Sequence, residues 1–156
     1  MCSGLDVPVI ELAWDGSILY AGGYFTTAGG NPADYIAGIN FTTPDSLVFT
    51  DPTDVALDTL ISSNTPNITG IQISVDISIT GGEYSLNSSD FTSAAGTANN
   101  GDSLELRTTS SASYNTTTDV VVSIGTGGGT FSVTTLLDTV PDVFGFTDQT
   151  NAALST

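Results

Sequence analysis

Apolar and polar residues alternate most clearly over residues 71–80. Ile71, Ile73, Val75, Ile77 and Ile79 alternate with Gln72, Ser74, Asp76, Ser78 and Thr80. A period of two puts one apolar face on a strand. Gly81-Gly82 reads as a turn, and Tyr84 and Leu86 continue the alternation in residues 83–87. Asn99-Asn100-Gly101-Asp102 has hairpin-turn chemistry and precedes a strand over Leu104–Arg107. Asp119–Ile124 and Thr130–Thr135 flank the loop Gly125–Gly129 as a further hairpin. No stretch of ten residues has apolar positions at helical spacing. The chain is therefore predicted to be all-β, with short strands and turns arranged as an antiparallel β-sandwich.

A segment repeats. Residues 44–59 read PDSLVFTDPTDVALDT and residues 141–156 read PDVFGFTDQTNAALST, an offset of 97. Leu47 and Phe49 correspond to Phe144 and Phe146, so the pair predicted to face inward is kept. The offset is the size of one immunoglobulin-type module. The sequence thus predicts one module followed by a copy of its first strand.

Charge narrows the function. The 156 residues suit one domain, or one domain and a fragment. They hold 17 acidic residues, Arg107 as the one basic residue, and no histidine, for a net charge of −16. Without Lys and Arg to displace counterions, nucleic acids and anionic membranes are not expected partners. A hydrophobic content of 39% and a charged content of 12% separate the chain from acidic disordered tails. The 25 Thr and 18 Ser suit solvated strand faces and turns. Cys2 stands alone, which leaves an intermolecular disulfide or an acylated anchor as its only special uses. No apolar segment precedes it, and no run is long enough for a membrane helix, so membrane insertion is not expected.

Residues 43–138 resemble the bacterial Ig-like repeats that occur in tandem in large surface and secreted proteins. The segments that carry the likeness are PDSLVFTDPTDVALDT, SNTPNITGI, ISITGGEYSLN, FTSAAGTANNGDSLELRTTSSASYNTTT and TFSVTT. The resemblance implies an immunoglobulin-like sandwich serving as a stalk or adhesion module at the cell surface or outside the cell, and brings no catalytic residues. Residues 1–42 differ. Asp15–Phe25 resembles one blade motif of a β-propeller, and Tyr35–Asn40 its closing strand. A single blade cannot close a propeller. The expected organisation is an N-terminal β segment (1–42), a sandwich (43–138), and a linker with the repeated strand (139–156).

Catalysis is not expected. Nucleophilic triads need histidine, and Arg107 is the only strong cation available to an anionic substrate. Two acidic groups are candidates for calcium, with no cofactor otherwise implied. Asp51, Asp54 and Asp58 open the module, and Asp138, Asp142 and Asp148 lie at its end. Hard cations take several oxygen ligands, although neither group follows the DxDxDG pattern. Four Asn-x-Ser/Thr sequons, at Asn40, Asn67, Asn87 and Asn115, are close to the number such a composition gives by chance.

The repeated strand is the sharpest feature. An apolar strand cannot bury its face alone, so it packs on its own chain, opens a further module, or enters a neighbouring subunit. Donation of Asp142, Val143, Phe144, Phe146, Ala153 and Leu154 into a groove lined by Ile71, Ile73, Val75, Phe131 and Val133 would join copies by backbone ladders. Such a head-to-tail contact does not close and builds a homopolymer filament. The runner-up is an adhesin module binding a glycan or host surface through Trp14, Tyr20, Tyr24 and Tyr35.

Overall fold

The computed structural model describes residues 5–139 and Gly145. The donated strand expected over 142–156, with Asp142, Val143, Phe144, Phe146, Asp148, Ala153 and Leu154, lies outside the described residues. Among the described residues there is no helix, and every strand pairing is antiparallel.

The N-terminal part forms β1 (Val9–Trp14), β2 (Ile18–Gly23), the short pair β3 (Thr27–Ala28) and β4 (Asn31–Pro32), and β5 (Ile36–Asn40). The larger sheet has the order β1-β2-β5. Asp15 shapes its first turn. Its carboxylate accepts the Ile18 N–H at 2.7 Å and the Ser17 N–H at 2.8 Å, while Gly16 takes a φ of +100°. These bonds, the one from Ile18 foremost, hold the Asp15 carboxyl below its ordinary pKa. Asp6 does the same at the other end, accepting from the Thr26 hydroxyl and from the backbone of Thr26 and Thr27. In β1, VIELAW, every residue is exposed.

The remaining strands are β6 (Leu60–Ser62), β7 (Val75–Thr80), β8 (Glu83–Leu86), β9 (Gly96–Ala98), β10 (Leu104–Thr109), β11 (Thr117–Ile124) and β12 (Gly127–Thr134). They form two sheets, β6-β10-β8 and β12-β11-β7-β9. Both contribute side chains to one hydrophobic cluster, Leu104, Leu106 and Tyr84 from the first, and Ile77, Val120, Val122, Ile124, Phe131 and Val133 from the second. The chain passes from one sheet to the other at Gly81-Gly82. A Cβ on Gly82 would overlap the Arg107 carbonyl and lie 2.9 Å from Val120 Cγ2, so only glycine fits between β10 and β11.

Two expectations are corrected. The turn Asn99–Asp102 exists but makes no hairpin, because β9 pairs with β7 whereas β10 pairs with β6 and β8. It is clamped instead onto Ile68, which accepts the Gly101 N–H and donates to the Asp102 carbonyl. The loop expected over residues 125–129 shrinks to Gly125-Thr126. Ile124 pairs directly with Gly127, and the next two glycines run in the β12 ladder.

Candidate functional site

The first copy of the repeat lies across the open side of the two sheets. Leu47 and Phe49 enter the shared cluster, each 9% exposed. The Phe49 ring meets Phe131 at 6.4 Å between centroids. The inward pair read from the sequence is therefore buried. The backbone around it, however, is not a ladder strand. Between residues 43 and 58 the one bridge is a parallel contact of Val55 with Thr135.

A handful of separate hydrogen bonds holds this segment. Asp45 N–H donates to the Thr69 carbonyl at 2.7 Å. Asn64, just past β6, clamps it from one side. Its Oδ1 accepts the Thr50 N–H at 2.8 Å and its Nδ2 donates to the Val48 carbonyl at 3.1 Å. β12 holds it from the other side. Thr134 N–H donates to the Pro52 carbonyl, Val55 N–H donates to the Thr134 carbonyl, and Ser132 N–H donates to the Asp51 carboxylate. Ser110 Oγ closes the end, donating to the Ala56 carbonyl and accepting from the Thr59 N–H.

Glycines of β12 make room for it. A Cβ on Gly127 would lie 3.0 Å from the Pro44 ring, and one on Gly129 would lie 3.0 Å from the Phe49 ring. These residues look like a loop in the sequence because the segment they accommodate is distant along the chain. Asn64 and Ser110 carry no sequence signal that separates them from the many other Asn and Ser.

The residues expected to line an acceptor groove divide. Ile71, Val75, Phe131 and Val133 are buried and share the cluster with Leu47 and Phe49. Ile73 is 42% exposed, because regular strand geometry begins only at Val75. It lines a shallow cleft between the sandwich end and the β1–β2 turn, with Ser17, Thr42 and Gly125. The groove is thus filled by the chain's own residues 44–58.

Asp142 and Asp148 lie outside the described residues, and the described acidic candidates form no cation site. Asp51 is spent on the Ser132 N–H. Asp54 and Asp58 are exposed turn residues with φ of +57° and +50°. Among the described residues no group of three or more carboxylate, thiol or imidazole side chains is placed to hold a metal ion. Arg107 is engaged as well. Its Nε and a terminal nitrogen each lie 2.8 Å from Glu83 Oε2, and its guanidinium sits 3.9 Å above the Phe91 ring.

The aromatic candidates are dispersed. Trp14 meets Phe41 edge-on at 5.5 Å near one end of β2, while Tyr24 and Tyr35 meet at 6.4 Å beyond the other end. The six residues of β2 put roughly 17–20 Å between them. Tyr20 pairs with Ala13 and so projects from the face opposite Trp14, where its hydroxyl donates to Asp15. They form no common platform. No helix among the described residues is long and apolar enough to cross a membrane. Comparison with protein-family models, curated proteins and solved structures finds no match to this chain.

Proposed function

We propose that this protein is a structural subunit or repeat of an extracellular bacterial filament or surface stalk, built on an immunoglobulin-like sandwich and joined to its neighbours by strand exchange. One observation carries the reading. The segment that closes the sandwich, 44–58, inserts Leu47 and Phe49 into the core yet is held by scattered hydrogen bonds, and the chain carries a second copy of it at 141–156. A copy with Phe144 and Phe146 in the matching places has the side chains to fill the same position in another molecule. Acceptance requires the resident segment to leave, because no groove stands open. Exchange of identical elements between copies is a low-cost route to assembly, and run head to tail it yields an open chain. The near-absence of Lys and Arg, which leaves Arg107 as the one trypsin site, agrees with a role outside the cell.

Negative-stain microscopy of the full chain beside a version ending at Asp138 tests the reading. Filaments from the full chain alone support it. Dispersed particles from both at high concentration refute it and leave a repeat of a tandem stalk without strand exchange.

A further inference from the structure

The turn Asn99–Asp102 carries chemistry that strand pairing leaves unused. The Asp102 N–H donates to the Asn99 carbonyl at 3.2 Å, and Gly101 takes a φ of +92°. Positive φ at the third residue marks a type II turn, with Asn100 at its second. Asn100 and Gly101 are both exposed, and a Cβ on Gly101 would meet nothing within 4 Å. Of the nine Asn in the chain, Asn100 is the one followed by glycine. Asn40, Asn64, Asn87 and Asn99 spend their carboxamides on hydrogen bonds, whereas that of Asn100 has no partner among the described residues. An Asn side chain is short enough for the next backbone nitrogen to close a five-membered ring on its Cγ, and only glycine leaves that nitrogen unshielded by a Cβ.

The fold opposes the step. Gly101 N–H is donated to the Ile68 carbonyl at 2.7 Å, and the nitrogen must give up that proton to attack. Ile68 is fully buried and its N–H donates to the Asp102 carbonyl at 2.8 Å. The Asp102 carboxylate accepts the Asn99 N–H and Asn87 Nδ2, each at 2.8 Å, while Asn87 Oδ1 accepts the Ser103 N–H at 3.0 Å. Ring closure therefore waits for the turn to lift from Ile68.

We infer that Asn100-Gly101 is a self-modifying site whose rate is set by the opening of this clamp. The Gly101 nitrogen bonds to Asn100 Cγ, the Cγ–Nδ2 bond breaks, and Nδ2 leaves as ammonia with the Gly101 amide proton. Water then opens the cyclic imide at one of its two carbonyls, which leaves Asp or isoAsp. Either product adds a negative charge close to Asp102 in a chain already at −16. IsoAsp also lengthens the main chain by one carbon, so the turn cannot restore both bonds to Ile68. Each opening that reacts is recorded permanently, and the aged chain loses part of what fastens residues 66–68 to the start of β10, where the Leu104 N–H donates to the Pro66 carbonyl. None of this depends on strand exchange.

The full chain, folded or in guanidinium chloride, is incubated in mildly alkaline buffer, and tandem mass spectrometry locates the exchange of NH2 for OH. The folded chain should react at Asn100 before any other Asn, and there about tenfold more slowly than the unfolded chain, the protection of a surface turn that opens locally. Asn87→Gly keeps access to the φ of +53° at that position and removes the side-chain bonds to Asp102 and Ser103. It should speed the folded reaction at least about threefold, the worth of a hydrogen bond, and leave the unfolded rate unchanged. Asn100→Gln, whose ring would need a sixth member, should give no product there and keep its Tm through the incubation, while that of the wild type falls. Equal rates folded and unfolded overturn the inference, as does a first product at another Asn, or an Asn87→Gly chain no faster than wild type. Product at Asn100 with an unchanged Tm overturns it too, as does full protection through about a hundred half-lives of the unfolded reaction.

Discussion

Removing the Phe49 ring should weaken the fold and strengthen assembly at once. Phe49 packs on Phe131 and Gly129 with 9% of its surface exposed, so Phe49→Ala belongs at the low end of the range for such truncations, about 3 kcal/mol. That is a sizeable share of the total stability of a domain. The same 3 kcal/mol lowers the affinity of the resident segment for its own core by roughly two orders of magnitude, at about 1.4 kcal/mol per tenfold. If 141–156 of another molecule competes for that site, its occupancy rises by the same factor. Phe131→Ala is the contrast. Phe131 is fully buried in β12 and serves whichever segment is in place, so its loss should cost roughly 3–5 kcal/mol and reduce assembly. Phe146→Ala should leave monomer stability unchanged and reduce assembly. Urea unfolding at low concentration gives the stabilities, and light scattering with microscopy gives the assembly. Assembly that falls in Phe49→Ala in step with stability, as in Phe131→Ala, would refute the reasoning.

Gly82→Ala should cost at least about 2 kcal/mol in urea unfolding, because its methyl group meets the Arg107 carbonyl and Val120 and neither can retreat without moving β10 or β11. Arg107→Gln should cost less than about 1 kcal/mol and the loss should shrink in salt, since the ion pair with Glu83 is partly exposed and a double-mutant cycle will find it weak. At Asp102, burial pushes the carboxyl pKa up, but bonds from Asn87 Nδ2 and the Asn99 amide outweigh it and leave the pKa lowered. A lowered folded pKa stabilises above the unfolded value of about 3.9 and loses that contribution as pH falls through the folded value. The difference in Tm between wild type and Asp102→Asn should therefore be full at neutral pH and vanish in acid, as calorimetry across that range will read.

Much of the architecture was legible where a strand buries one face. The alternation over 75–80, the Gly81-Gly82 turn, the strand after Asp102 and the pairing of 119–124 with the strand that follows it all follow from local chemistry. What escaped depends on contacts between distant parts of the chain. The glycines at 127–129 signal a loop by composition, yet they lie in a strand because residues 44–49 need the space above them. Asn99–Asp102 has the residues of a hairpin, but a turn fixes only local direction, and the pairing of β9 with β7 decides which sheet each arm joins. Ile73 continues the alternation of its neighbours, while Gln72 N–H donates to the Phe41 carbonyl and the backbone leaves strand geometry there.

The two copies of the closing segment keep the Phe49/Phe146 anchor and differ at several other places. Pro52 offers β12 only a carbonyl, and Gln149 stands at its place in the copy with an N–H as well. Asp54 and Asp58, both exposed with positive φ, become Asn151 and Ser155. The copy thus carries two fewer negative charges in a chain of −16, and one more backbone donor beside a strand edge. Leu47 becomes Phe144, a larger side chain for a position already buried in the resident segment, so the core must shift to take it. The differences pull both ways, since Val55, which packs against the core, becomes the smaller Ala152, so the lost charges and the added donor are what would favour a neighbour's copy in this seat.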